Sequence, residues 1–146
     1  MQQTITINYN KIAKQIAEIE NLAMKNKWMF HYDADLDSLY YSSKEIDSSY
    51  ALFTVNGEYS LYVDKDSNVG GIFIEYYRAN LASHDTKFKP FAKLFTPQKK
   101  AIETSDKERR EKKDKEILLS EVLKAEILAT IIQATDKDNK QISIPI

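Results

Sequence analysis

Three oxygen-bearing side chains alternate along one short segment near the middle of the chain. Asp64, Asp66 and Asn68 stand at positions one, three and five of a loop. Glu75 stands at position twelve, and this spacing is that of the EF-hand calcium loop. Position six holds Val69 where that loop requires glycine, and the flanking residues are typical of strands. The pattern allows a Ca²⁺ or Mg²⁺ site at these three residues, but it favours a turn stabilised by its own side chains.

A second acidic segment follows one of the two histidines. Asp33, Asp35 and Asp37 lie close to His31 in the sequence, so a carboxylate–histidine cluster is one interpretation. Strand residues two apart share a face, whereas a turn scatters its side chains, and a solvated acidic turn is therefore favoured. Between residues 31 and 66 the chain carries eight acidic and two basic side chains, so this region is acidic under either interpretation.

The other histidine, His84, offers general acid–base chemistry because imidazole titrates near neutral pH. The groups that stand near it in the sequence are Asp85, Glu75, Tyr76 and Tyr77. Ser83 precedes it directly, but consecutive positions do not bring a nucleophile, a base and an orienting acid together in space. We therefore predict no catalytic residue, and a metal-dependent enzyme that uses the acidic loops is retained as an alternative function.

Lysines and aromatic residues alternate over residues 88–100. Residues 87–100 carry five lysines and no acidic residue, a composition that suits stacking on nucleic acid. The segment lacks arginine, and the formal net charge of the whole chain is -1, which argues against a nucleic-acid partner. A packed segment flanked by lysines is the favoured interpretation, and a nucleic-acid-binding regulator is the remaining alternative.

Composition narrows the classes further. The chain has 146 residues, enough for one domain with a substantial core. It has no cysteine, which excludes disulfides, thiolate catalysis and zinc–sulfur sites. Neither a leader sequence nor an apolar run long enough to span a bilayer is recognisable, so we expect a cytoplasmic protein without membrane association.

The periodicity of apolar residues predicts the elements that carry these side chains. Residues 4–8 predict a short edge strand or an extended arm, and residues 9–24 predict an amphipathic helix capped by Asn8 or Asn10. Two strands follow, at residues 28–32 and 38–42. Residues 50–77 predict three further strands as a meander, with a two-residue type I′ turn at Asn56-Gly57. Short connections between successive strands favour an antiparallel sheet.

The C-terminal region predicts one long helix over residues 106–134. Its first half is almost entirely charged, and its second half is rich in leucine, isoleucine and alanine. The spacing of the apolar residues makes a broad stripe that either completes the core or binds another protein chain. The residues of this candidate interaction surface are Ile117, Leu118, Val122, Leu123, Ile127, Leu128 and Ile131. The last residues, ISIPI, predict a terminal strand or a loose end.

Four short motifs share residues 28–77. They are Tyr32-Asp33, Asp37-x-Leu39-Tyr40, Val63-Asp64-x-Asp66, and Gly71-Ile72 followed by Ile74-Glu75. Together they resemble a small bacterial domain family of unknown function, although Phe73 stands where that family has the glutamate after Gly-Ile. The resemblance implies a compact antiparallel sheet, no established activity, and genes that often lie beside those of toxin-like partners. It adds an antitoxin-like, partner-binding hypothesis.

Together these patterns predict an α+β fold with an antiparallel five-stranded meander, an N-terminal amphipathic helix and a long C-terminal helix. We expect a sheet domain with the N-terminal helix at residues 1–100, a helical appendage at 101–135 and a tail at 136–146. The function that we predict is a protein–protein interaction module, antitoxin-like or regulatory, that needs no cofactor. We expect a protein partner or self-association through the C-terminal helix.

Overall fold

The computed structural model describes residues 4–44, 46–95, 106–135 and 141–145. Its α-helices are α1 (Tyr9–Ala17), α2 (Ile19–Lys25), α3 (Ala82–His84) and α4 (Asp106–Thr135), joined by a π-helix (Tyr77–Leu81) and a 3-10 helix (Lys89–Phe91). Its strands are β1 (Thr4–Asn8), β2 (Met29–Asp33), β3 (Ser38–Ser42), β4 (Ala51–Thr54), β5 (Tyr59–Val63), β6 (Val69–Ile74) and β7 (Gln141–Pro145). The predicted α+β fold is confirmed.

Five strands form one antiparallel sheet in the order β2-β3-β6-β5-β4. The meander predicted for residues 50–77 is β4, β5 and β6, and its last strand returns beside β3. The predicted meander of all five strands is wrong, because β4 follows β3 in the chain but lies at the far edge of the sheet. Gly71 permits the close approach of β3 and β6, because a Cβ atom there would lie 2.4 Å from the Cβ of Ser42.

The hairpin between β4 and β5 is confirmed, but its predicted type I′ turn is wrong. Such a turn needs positive φ at both central residues, and neither Asn56 nor Gly57 has it. The Asn56 side chain explains the difference, because its Oδ1 accepts hydrogen bonds from the amides of Glu58 and Tyr59, at 2.8 and 3.1 Å. An Asx turn replaces the expected backbone turn.

The predicted N-terminal helix is divided at Glu18 into α1 and α2. Asn8 caps α1 as predicted, since its Oδ1 accepts the amide of Lys11 at 3.1 Å. The apolar stripe continues across the break, and its buried members are Ile12, Ile16, Ile19 and Ala23. Upstream of α1, strand β1 pairs with β7, so the predicted edge strand and terminal strand form a separate two-stranded ribbon.

One face of the five-stranded sheet, which we call the inner face, belongs to a single core with the helices. Its buried residues include Leu39, Leu61 and Ile72. The residues that α4 buries completely or almost completely recur every four positions: Leu119, Leu123, Ile127 and Ile131. The same helix also forms two ion pairs at the surface, from Lys124 to Glu20 at 3.1 Å and from Lys87 to Glu126 at 2.8 Å.

The chain leaves the sheet three residues earlier than expected. Strand β6 ends at Ile74, and Tyr77 begins the π-helix instead of ending a strand. Tyr76 turns the chain with a left-handed φ of 53°, which is uncommon for an aromatic residue. Tyr77 is fully buried, and its hydroxyl donates to the carbonyl oxygen of Phe91 at 2.6 Å.

Candidate functional site

The acidic turn between β5 and β6 uses its side chains to hold its own backbone. Asp64 Oδ1 accepts hydrogen bonds from the amides of Asp66 and Asn68, both at 2.9 Å. The other oxygen, Oδ2, accepts the side-chain amide of Asn68 at 3.0 Å. Both carboxylate oxygens of Asp64 are therefore engaged within the turn, as the Asx-turn interpretation predicts.

Helix α1 and the residue before it hold the same turn from outside. The amide of Asn8 donates to Ser67 Oγ at 2.9 Å. Gln15 spans the turn, because its Nε2 donates to the carbonyl oxygen of Ser67 at 2.7 Å and its Oε1 accepts the amide of Val69 at 2.9 Å. Lys11 donates to the carbonyl oxygen of Asp66 at 2.6 Å. The turn thus joins the helix to the sheet.

Within the described residues, no three histidine, aspartate or glutamate side chains are grouped so that they could hold a metal ion. The proposed ligands Asp64, Asp66 and Asn68 lie together in the turn, but Glu75 follows the far end of β6. A Ca²⁺ or Mg²⁺ site at this turn stays a prediction that the arrangement does not strengthen.

The acidic turn between β2 and β3 also has a structural use. Asp37 has a left-handed φ of 50°, and its carboxylate accepts the amides of Arg78 and Ala79, both at 2.9 Å. Tyr32 donates its hydroxyl to the same carboxylate at 2.6 Å. Asp37 therefore joins this turn to the start of the π-helix.

These contacts move two pKa values in opposite directions. Burial, with the neighbouring Asp37, raises the pKa of Tyr32 to about 12. Burial alone would raise the pKa of Asp37, but the hydrogen bonds from Tyr32, Arg78 and Ala79 outweigh it and hold that pKa below its ordinary value. The carboxylate therefore acts as a permanently charged anchor near neutral pH.

His31 does not join this acidic turn in a cluster. Its ring lies beside that of Tyr40, with centroids 6.1 Å apart. Asp33 Oδ1 accepts the amides of Asp35 and Leu36, at 3.0 and 3.3 Å. The carboxylates of Asp33 and Asp37 thus stabilise the turn, in agreement with the favoured interpretation of an acidic turn.

The predicted acid–base group around His84 is also dispersed. His84 Nε2 pairs with Glu58 in the β4–β5 turn, and half of its side chain is exposed. Asp85 Oδ1 instead accepts the amide of Lys87 at 3.0 Å. Ser83 donates to carbonyl oxygens of its own helical turn. Neither a nucleophile nor an orienting acid from the predicted set contacts this histidine.

The basic segment is packed through its aromatic residues. Phe88, Phe91 and Phe95 are buried, while the lysines Lys87, Lys89 and Lys93 are exposed. Residues 96–100 of the predicted segment lie outside the described residues. The buried rings are not available for stacking on bases, and the packing interpretation accounts for the described part.

The predicted interaction stripe of α4 is divided between core and surface. Leu123, Ile127 and Ile131 are buried in the core, and Val122 and Leu128 pack against it while partly exposed. Ile117 and Leu118 are each 52% exposed, directly after the charged first half of the helix. Leu119, which the predicted stripe omitted, is fully buried.

The second face of the sheet, which we call the outer face, carries a row of aromatic side chains. The row runs across four strands through His31, Tyr40, Phe73 and Tyr62. The ring centroids of Tyr40 and Phe73 are 5.1 Å apart, and those of Phe73 and Tyr62 are 6.4 Å apart. Leu52, opposite Tyr62, is 47% exposed. These contacts make the outer face a continuous aromatic surface.

A cavity of about 790 Å³ lies over part of the outer face, and we call it the outer hollow. Residues of strands β2, β3 and β5 line one side of it, and Ser43, Lys44, Ile46, Asp47, Ser48 and Tyr50 line the other; no described helix lines it. Its lining residues include His31, Tyr40, Tyr50 and Tyr62, together with Asp33, Asp47 and Lys44. Burial raises the pKa values of Tyr50 and Tyr62, so both phenols are neutral near pH 7.

Sequence reasoning missed this surface, although a signal was present. The three central strands read Leu39-Tyr40-Tyr41, Leu61-Tyr62-Val63 and Ile72-Phe73-Ile74. A strand with one face in water commonly alternates apolar and polar residues, whereas each of these triplets also places an aromatic ring on the second face. Such runs indicate either a second covering layer or a binding surface.

No protein-family model, curated protein or solved structure matches this chain. Within the described residues, no helix combines the length and the apolar composition that crossing a bilayer requires.

Proposed function

We propose that this chain is a protein–protein interaction module that binds its partner on the outer face of the sheet. The observation that carries the proposal is the aromatic row at Tyr40, Phe73 and Tyr62. These three residues are partly exposed, and they belong neither to the core nor to the partly buried residues packed against it. Their apolar surface therefore contributes less to the stability of the described fold than that of the core residues.

Aromatic side chains suit this role because they supply a large contact area with few rotatable bonds. Tyrosine in particular is enriched at binding surfaces, where one end of the ring is buried and the hydroxyl meets water. The residues that contribute most of the binding energy of an interface often lie in well-packed pockets that aromatic rings fill. The outer hollow beside the row offers such a place.

A second surface supports the proposal of self-association or partner capture through α4. Ile117 and Leu118 project two exposed apolar side chains from a helix that spans about 45 Å. Removing the whole helix would not test this, because α4 also buries Leu119, Leu123, Ile127 and Ile131 in the core. Ile117→Ser with Leu118→Ser is the better variant, examined by light scattering over a range of concentrations.

The resemblance to the bacterial family supports a narrower form of the proposal. A regulatory, antitoxin-like protein acts by binding a protein partner, and we place that partnership in the cytoplasm. The metal-dependent enzyme and the nucleic-acid-binding regulator have less support, because the acidic turns use their carboxylates for backbone contacts and the described phenylalanines of the basic segment are buried.

The proposal is tested by recovering partners with purified, tagged protein from cells of its own source. Phe73→Thr removes the centre of the aromatic row and replaces it with a β-branched residue that favours a strand. Met24→Thr is the matched control, since Met24 is 77% exposed on α2, away from the outer face.

We expect one reproducible partner to be recovered with the native chain and with Met24→Thr, and to be lost with Phe73→Thr. Equal recovery of that partner by all three proteins would contradict binding at the outer face. Circular dichroism of each variant separates loss of binding from loss of folding.

A further inference from the structure

We infer that the outer hollow receives a cationic side chain, arginine or lysine, carried on an extended segment of the partner protein. The inference rests on the proposed function and specifies the chemistry of the partner. Three features carry it: the aromatic lining of the hollow, the sign of the charges around it and the edge strand beside it.

The aromatic lining favours a cation over a neutral apolar group. Tyr40, Tyr50 and Tyr62 all line the hollow. The face of an aromatic ring carries negative electrostatic potential, so it attracts an ammonium or a guanidinium placed over it. Tyr50 is set close against the start of β6, because Gly70 has no side chain: a Cβ atom there would lie 2.6 Å from the Tyr50 ring. Because Gly70 has no side chain, the Tyr50 ring can pack against the main chain at this position.

The charges around the hollow have the complementary sign. Asp33 and Asp47 line it together with one basic residue, Lys44. Hydrogen bonds from the side chain and the amide of Ser49 hold the pKa of Asp47 below its ordinary value, so this carboxyl group is ionised at neutral pH. Complementary charge gives specificity and speeds encounter.

The edge strand identifies the ligand as a protein segment instead of a small cation. Strand β2 pairs only with β3 among the described strands, so one row of its main-chain groups points away from the sheet. Phe30 and His31 of this strand line the hollow. An extended segment can pair with such an edge while every second side chain points toward one face of the sheet. One of those side chains would then enter the hollow.

The experiment uses the full chain, labelled with ¹⁵N, and the probe peptide acetyl-Thr-Val-Thr-Arg-Thr-Val-Thr-amide. Binding is followed by the chemical shifts of the backbone amides of β2, β3 and β5. Three comparison probes separate the parts of the inference: the same peptide with citrulline in place of arginine, the same peptide with glutamate, and N-acetylarginine amide. Citrulline keeps the shape of arginine and lacks its charge.

Two substitutions remove the charges without disturbing the turns. Asp33 and Asp47 each accept their backbone hydrogen bonds through Oδ1, which asparagine retains. The test protein therefore carries Asp33→Asn with Asp47→Asn. The control is Asp66→Asn, which removes one charge from the other acidic turn, at a residue that does not line the hollow.

We expect the arginine peptide to shift the amides around the hollow and to bind about ten-fold more tightly than the citrulline peptide, as one desolvated cation–π contact allows. Its affinity should fall by about the same factor with the double asparagine variant and stay unchanged with Asp66→Asn. Affinity should also fall as salt is added. The glutamate peptide and N-acetylarginine amide should bind much more weakly.

Equal affinity for the arginine and citrulline peptides would overturn the requirement for a cation. Binding of N-acetylarginine amide as tight as that of the peptide would overturn pairing with the edge strand. If no peptide shifts the amides around the hollow although partner recovery still depends on Phe73, the inference fails and the proposed function stands. If partner recovery does not depend on Phe73, the proposed function fails as well.

Discussion

Both faces of the five-stranded sheet carry large apolar or aromatic side chains in their central strands, but the two faces differ in what covers them. The inner face, with Leu39, Leu61 and Ile72, meets the helices in one core. The outer face, with Tyr40, Tyr62 and Phe73, has no part in that core and remains partly exposed. Similar residues therefore have different uses: on the inner face they stabilise the fold, and on the outer face they are available to another chain.

The largest expected effect is a difference in the free energy of unfolding between a variant of the inner face and a variant of the outer face. Leu61→Ala on the inner face should lower the free energy of unfolding by about 2–5 kcal/mol, because it leaves a cavity in a fully buried site. Phe73→Thr on the outer face should lower it by about 1 kcal/mol or less, the size of a cross-strand pair. Urea denaturation of both variants measures the difference. Equal losses would mean that the outer face is also part of the folded core.

A smaller effect concerns how closely β3 and β6 approach. Gly71→Ala should destabilise the chain by about 1–3 kcal/mol, since its Cβ would meet the Cβ and main chain of Ser42 and the carbonyl oxygen of Tyr41. Gly57→Ala is the control, because its Cβ would have open space and its φ is not positive. That variant should change stability by less than about 0.5 kcal/mol. If thermal unfolding shows Gly71→Ala to be equally harmless, the close approach is not required.

The smallest effect concerns pH and the inner-face residue Tyr32. The pKa of Asp37 is lower in the folded chain than its ordinary value of 3.8, so its stabilising effect is present above that value and is lost as pH falls through the folded pKa. Tyr32→Phe removes one hydrogen bond to Asp37 and should cost about 1 kcal/mol at pH 7. The same variant should lose less stability than the native chain on acidification below pH 3.8.

Urea denaturation at a series of pH values measures this difference in slope. Identical slopes for the native chain and Tyr32→Phe would contradict the view that the β2–β3 turn is held by the ionised Asp37. This result also bears on function, because an ionised Asp37 that accepts hydrogen bonds from Tyr32, Arg78 and Ala79 is not available as a general acid or base.

Local patterns predicted most elements of the fold, and long-range contacts account for what they missed. The apolar period identified the stripe of Ile12, Ile16 and Ile19, although the break at Glu18 leaves no signal in that period. The pairing of β3 with β6 joins residues that are distant in the sequence. The short connections favoured a sheet in which each strand lies beside the next one in the chain. At the β4–β5 turn, the Asn56 side chain accepts hydrogen bonds from main-chain amides, and this Asx turn replaces the expected type I′ turn.

The candidate site was less accessible to prediction. The acidic residues were candidates for metal binding because of their carboxylates. In the structure, the carboxylates of Asp37 and Asp64 accept hydrogen bonds from main-chain amides, and one of those amides belongs to Arg78, which is far from Asp37 in the sequence. The sequence does indicate the aromatic row, because Tyr40, Tyr62 and Phe73 each stand between two apolar or aromatic residues of a strand. Which face the helices cover depends on the path of the connections, and no local pattern specifies that path.

The most direct test of the central claim is site-specific photo-crosslinking in cells of the protein's own source. A photoreactive phenylalanine analogue replaces Tyr62 on the outer face in one protein and Met24 on α2 in another. We predict a covalent adduct with one partner protein from position 62 and none from position 24. Adducts of equal yield from both positions, or from position 24 alone, would contradict the assignment of the outer face as the binding surface.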